Sequence, residues 1–243
     1  MFWLNSYFCV YASHESSNSI AHRMRRISIS TKLKEHCPGL KLGCIEADVF
    51  VNDSPTELLA EMNDQMQQIG QTLSIELISK LPIIAASRKA YKACGKDPAR
   101  YRLSAEALLR RVVSGKGLYQ INNVVDQLNL VSMSTGFSIG GYDYDQICGD
   151  IVFGIGNPGE PYVGIGRGEL NIENLPVFRD ELGAFGTPTS DSLRTEVKEQ
   201  TRNFLMILID FEGDNVLNEA LQMAERLMKN YCQAKKLEIQ IIE

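Results

Sequence analysis

A chain of 243 residues with 44% hydrophobic side chains and 8 prolines is long enough to bury a substantial core, as one large domain or two small ones, and too apolar for disorder to dominate. No apolar run is long enough to span a bilayer, which argues against a membrane protein. The six cysteines form no CxxC pair and stand at no zinc-finger spacing from a histidine, so they read as reduced thiols of a cytoplasmic protein, and neither metal nor cofactor is expected.

In chain order, residues 1–23 open with apolar residues but lack a basic n-region, which makes a poor signal peptide, and they read as an extension that a fold beginning at Met24 does not need. Ile27 to Ser30 and Cys44 to Val51 alternate like strands, with a turn at Pro38-Gly39 between them. Ser54-Pro55-Thr56-Glu57 has the form of a capping box with proline at the first helical position, and Leu58, Leu59, Met62, Met66 and Ile69 follow at helical spacing. A third helical pattern runs from Leu81 to Cys94-Gly95.

Lys80 to Lys116 carries ten Lys or Arg against Asp97 and Glu106 alone, net +8 in a chain whose net charge is −5. Such a block is the footprint of an anionic partner, with RNA or phosphate first, and Arg88, Lys89, Arg100, Arg102, Arg110 and Arg111 are its candidate contacts. A solvated helical face balanced by acidic neighbours gives the same pattern.

The organising stretch runs from Arg100 to Asp145. Ser104 and Gly115 carry cap signals at the two ends of a short helix, and a second helix is expected from near Asn122 to near Gly136. Asn123, Asp126 and Asn129 recur three apart, so they share a face, where they would bind a ligand together or serve as a cap with solvated positions. Beyond Phe137, short alternating runs separated by Gly, Pro and Asn read as sheet. Gly164, Gly166 and Gly168 belong to hairpin turns rather than a nucleotide loop, because no helix follows them. Ser190, Asp191 and Ser192 can cap a short helix, Arg202 to Phe211 is an apolar strand, Asn215 to Cys232 an amphipathic helix, and Leu237 to Ile242 a closing strand. The fold class is α+β, a multi-stranded, mainly antiparallel, sandwich-like sheet with flanking helices in one unit from 24 to 243.

INNVVDQLNLVSMSTGFSIGGYDYDQICGDIVF, Ile121 to Phe153, resembles the N-N-V-V-D-x-T-N-Y-V, G-x-P-L-H-A-F-D-x-D and G-x-I-x-V-R run of the phenylalanyl-tRNA synthetase beta chain. GEPYVGIGRGEL, VFRDELGAFG and EVKEQTRNFL follow in that domain's order, so the resemblance covers roughly residues 80 to 213. That B3/4 domain hydrolyses tyrosine wrongly attached to tRNA, and this chain looks like a free-standing relative without the catalytic chain. The resemblance implies tRNA or aminoacyl-tRNA as partner, and neither membrane nor DNA. It also implies a pocket in which Asn129 and Gly183 match family residues, while Leu128 stands for a threonine, Gly140 for a histidine and Ile207 for the glutamate that recognises the tyrosine hydroxyl. Losing that glutamate puts tyrosine specificity in doubt and predicts a roomier, more apolar cavity near Asn129.

All three histidines, His14, His22 and His36, precede residue 37, so no histidine base comes from the central stretch. The candidate catalytic groups are Asn129, Ser104, Glu106 and Asp191, and the candidate pocket residues are Asn122, Asn123, Asp126, Gly140, Gly183, Arg194 and Ile207. Each has a plain structural role open to it, as a cap or, for Glu106, as an i,i+4 partner of Arg110. Two function classes follow: an aminoacyl-tRNA deacylase or tRNA-binding module, and a small-ligand or protein-binding domain that kept the fold and lost the chemistry. A complete ligase is not expected, since nothing in the chain resembles an ATP site.

Overall fold

A computed structural model describes residues 25–213 and 216–243. The expected extension over residues 1–23 lies outside the described residues. Two four-stranded sheets pack face to face, and a layer of helices covers the outer face of one of them. The first sheet has the order β1 (Ile27–Ile29), β4 (Ile151–Ile155), β7 (Pro176–Asp180), β8 (Gly183–Gly186); the second has the order β10 (Lys235–Ile242), β2 (Lys41–Asp48), β9 (Asn203–Asp210), β3 (Ser138–Asp143). All pairs are antiparallel except β1 with β4. A small hairpin, β5 (Val163–Gly164) with β6 (Gly168–Glu169), stands apart. The α+β, antiparallel-rich sandwich expected from the sequence is what the chain forms.

β9 shows why the second sheet is the spine. Its run NFLMILID is unbroken because both faces are covered: Phe204, Met206 and Leu208 point to the helices, while Leu205, Ile207 and Ile209 point to the other sheet. The helical layer comprises α2 (Thr56–Thr72), α3 (Ile75–Ile78), α4 (Pro82–Ala93), α5 (Ser104–Val113), α6 (Asn123–Thr135) and α7 (Val216–Tyr231), and α1 (Thr31–His36) lies beyond β1. α6 begins and ends as its sequence requires. Asn122 Oδ1 accepts the Val125 N–H at 2.9 Å, and Gly136 takes the left-handed conformation, φ 83°, that closes the last turn without a Cβ penalty.

Three local expectations change. Ser54 does not cap α2: its hydroxyl donates to Asp126 Oδ2 at 2.6 Å, and Pro55 stands at the N-cap without a side-chain bond. Ser104 is the first helical residue of α5 rather than its cap, and its N–H donates instead to the Pro188 carbonyl at 2.8 Å. α1 was not visible in the sequence, because six residues with only Leu33 buried carry almost no periodic signal. No helix among the described residues is long and apolar enough to cross a membrane.

Candidate functional site

The sequence-predicted site residues fall into four separate places. Asn122, Asn123 and Asp126 stitch the start of α6 to its surroundings. Asn123 donates to the Phe50 and Tyr231 carbonyls at 2.9 and 2.8 Å and accepts the Asn52 N–H, while Asp126 accepts from Ser54 and from the Ile121 N–H. Burial raises the Asp126 carboxyl above its ordinary range, against the pull of the Ser54 and Ile121 bonds. Asn129 sits half-buried further along the same helix, one residue beyond Leu128, which packs toward Gly141 on the helical face of β3.

Gly140 and Ile207 are direct cross-strand partners on the opposite face of that sheet, turned toward the seam between the sheets. The roomy cavity expected there is filled. The Tyr142 side chain, two residues along the same face, folds back over Gly140, and its hydroxyl lies where a Gly140 Cβ would be, with Cε2 only 2.8 Å from that point. Gly186 of β8 closes the other side, where a Cβ would sit 2.9 Å from Tyr142 Cε1. The ring meets Phe185 edge-on at 4.9 Å between centroids and Phe178 at 6.1 Å, so Tyr142 is a wedge shared by both sheets. Strand alternation also explains why Asn129 shares no cavity with this pair: the sheet stands between them.

Asp191 approaches the same wedge from the β3 edge. Thr187 Oγ1 accepts the Thr189 and Ser190 N–H groups and donates to the Ser190 carbonyl, Thr189 and Tyr91 hydroxyls meet at 2.9 Å, and Tyr162 donates to the Ser190 carbonyl at 2.6 Å. This frame aims the Asp191 carboxyl at β3, where Oδ2 accepts the Gly141 N–H at 3.3 Å. Tyr142 Oη faces the carboxyl without reaching hydrogen-bond geometry, and Oδ1 has no partner among the described residues. Desolvation pushes the Asp191 carboxyl up to about 7 against the opposing pull of the Gly141 N–H and Tyr142. The same burial lifts the phenols of Tyr91, Tyr142 and Tyr162 far above their usual range.

Arg194 and Gly183 form a third group. Arg194 makes a bidentate pair with buried Asp180 at 2.8 and 2.9 Å and donates to the Gly183 carbonyl at 3.3 Å. Gly183 takes φ 116° at the β7–β8 turn, at the far end of β8 from Gly186 and so roughly 10 Å from the Tyr142 cradle.

The fourth place is a basic ridge. Glu106, 1% exposed on α5, receives Arg88 from α4 at 2.8 Å and Arg110 at 3.0 Å, with Arg102 at 4.0 Å. Three guanidinium groups around one carboxylate leave two positive charges in excess at the surface. Arg111, one position beyond Arg110, donates to the Gly117 carbonyl and lies 4.2 Å over the ring of Tyr119, which is 70% exposed. Arg100 lies over Tyr101 at 5.8 Å, and Lys89 reaches Glu212 at 3.2 Å. Lys96 drops out of the block: it is buried and donates to the Asn171 and Glu173 carbonyls, pinning that loop.

Sequence reasoning missed Tyr142, Gly186 and Tyr119. A signal for Tyr142 was present, since Gly140 followed two residues later by an aromatic on the same strand face is a pattern in which the ring covers the bare backbone. Among the described residues no group of three His, Cys, Asp or Glu side chains is placed to hold a metal ion.

A two-sheet sandwich with one helical layer, an aromatic wedge in its seam and a basic ridge on its helices defines the class of domain. The chain belongs to the B3/4 domain family, whose model matches residues 86–240, from α4 to β10. Among solved structures it is similar to a crystal structure of an N-terminal fragment of the phenylalanyl-tRNA synthetase beta subunit from Pyrococcus horikoshii, at 14% identity and a TM-score of 0.43. That match covers 89% of this chain and 50% of the other, so the chain spans about half the length of that fragment. No curated protein matches the chain.

Proposed function

We propose that this protein is a tRNA-binding B3/4 domain that engages RNA through the ridge of α4 and α5, with the inter-sheet pocket closed to a tyrosyl group by its own Tyr142. The observation that carries the reading is the excess of guanidinium at the Glu106 cluster, with Arg111 stacked on exposed Tyr119 beside it. Guanidinium groups supply phosphate contacts, and an exposed aromatic ring offers an unpaired base a stacking surface. A filter-binding titration with tRNA across a salt series tests this. Retention at low salt that falls steeply with added salt supports it, and no retention at low salt removes it.

A second reading is favoured by one observation, the shielded Asp191 carboxyl with a free oxygen beside β3. Such a group holds a proton near neutral pH and could exchange it with water attacking an aminoacyl ester, with Ser104 and the RNA's own hydroxyls as positioning groups. A deacylation screen over a panel of mischarged tRNAs separates the readings: turnover abolished by Asp191→Asn selects hydrolysis, and tight binding without turnover selects the first.

A further inference from the structure

Among the described residues the C-terminal strand β10 forms one edge of the second sheet, pairing only with β2. An edge of this length presents a row of unpaired backbone donors and acceptors. Its start is blunted in the way that protects edges: the register shifts between Lys235 and Glu238, Lys236 takes φ 47°, and Lys236 pairs with Asp48 at 2.9 Å. From Glu238 to Ile242 the register is regular, and the one charged side chain is Glu238. Ile239 and Ile241, each 40% exposed, lie on the helix side of the sheet, opposite Ile45 and Gly43. On the other side, Gln240 Nε2 is shielded from water with no hydrogen-bond partner among the described residues.

We infer that β10 is a docking edge for a second copy of this chain, the two β10 strands running antiparallel about a twofold axis at Ile239. The sequence KKLEIQIIE is complementary to itself in that one register. Ile239 meets Ile239 and Leu237 meets Ile241, which makes a continuous apolar stripe beside the two α7 helices. Glu238 falls opposite Gln240, which brings a carboxylate acceptor to the unpartnered amide. At the two ends of the paired segment, Lys235, ahead of the register shift, and Glu243, whose partner within the chain is Lys41, bring opposite charges toward each other. Moving the twofold one residue toward the N-terminus sets Glu238 against Glu238, and one toward the C-terminus sets it against Ile242, so charge and apolarity together select a single pairing. The twofold is closed and isologous, which limits the assembly to a dimer. A six-residue strand pair is smaller than a standard interface, so the dimer forms and dissociates with concentration.

Sedimentation velocity of the full chain from low to high micromolar concentration tests this, with a reversible monomer–dimer shift expected. Ile239→Lys with Ile241→Lys, at half-exposed positions, weakens the dimer at least tenfold while circular dichroism and melting stay unchanged. Lys235→Glu alone and Glu243→Lys alone each weaken self-association several-fold, and mixing the two variants restores a heterodimer, because each strand then offers the charge the other lacks. A full chain that stays monomeric overturns the inference, and if a chain starting at Met24 then dimerises, the edge belongs to the residues ahead of it. Dimers that survive the double lysine variant, or a mixture that does not recover, overturn it equally.

Discussion

The hydroxyl of Tyr142 occupies the space that any side chain on Gly140 would need, and it reaches that space from the same face of the same strand. Gly140 is a glycine whose missing side chain is replaced by a neighbour's ring. The seam between the sheets is thereby closed from within.

Gly140→Ala therefore overpacks the seam, and its expected cost is about 1–3 kcal/mol, a drop of roughly 2–4 °C in melting temperature per kcal/mol for a domain of this size. The cost should shrink sharply in a Tyr142→Ala background, which itself opens a cavity and loses about 3–5 kcal/mol. A double-mutant cycle by denaturant unfolding measures the coupling. Additive effects would show that the ring does not hold this position.

What the sequence displayed was whatever is written locally. The boundaries of α4 and α6 were legible because proline, asparagine and glycine stand at their ends, and the pairing of Glu106 with Arg110 was legible because it spans one helical turn. The rest depends on chain segments far apart. Arg88 joins Glu106 from another helix, Ser54 leaves its expected cap for Asp126 seventy-two residues away, and Gly186 completes the Tyr142 cradle from the opposite sheet. A cavity inferred from two small or apolar residues fails when a third side chain can rotate into it, and no spacing in the sequence records that rotation.

Glu106 divides the structural from the catalytic reading of its helix. With its carboxylate buried under Arg88 and Arg110, Glu106→Gln strands two guanidinium groups beside a neutral amide, and because those arginines are partly solvated the expected loss is about 2 kcal/mol, below that of a fully buried pair. tRNA affinity should hold or rise, since a negative charge is removed from the ridge. Unchanged unfolding together with abolished deacylation would instead assign Glu106 to the chemistry.

Asp191 gives the fold a pH dependence of definite sign. Its carboxyl is raised from an ordinary 3.8 to about 7, so between those values the folded chain holds a proton that the unfolded chain has lost. Stability linked to this group is fully present below about pH 4, declines as pH rises, and levels off above about pH 7. Asp191→Asn keeps the Gly141 bond and removes the titration. Relative to that variant, the native chain should lose up to a few kcal/mol on passing from pH 4 to pH 7.5. Parallel stability profiles for the two proteins would refute the assignment.

The ridge makes the most direct prediction about function. Tyr119 is largely solvent-exposed and contributes little to the core, so Tyr119→Ala should leave the melting temperature unchanged. If an unpaired base stacks on that ring, the same change lowers tRNA affinity by roughly tenfold or more, in line with about 1–3 kcal/mol per stacked base, and does so at every salt concentration. Arg102→Ala should behave differently. Its guanidinium is the most loosely held of the three around Glu106, at 4.0 Å, and if it serves the proposed RNA as a phosphate contact, its loss reduces the slope of log affinity against log salt by about one. Binding isotherms for both variants at several salt concentrations separate stacking from charge. A Tyr119 effect that disappears at high salt, or an Arg102 variant with the native slope, would place the RNA elsewhere on the protein.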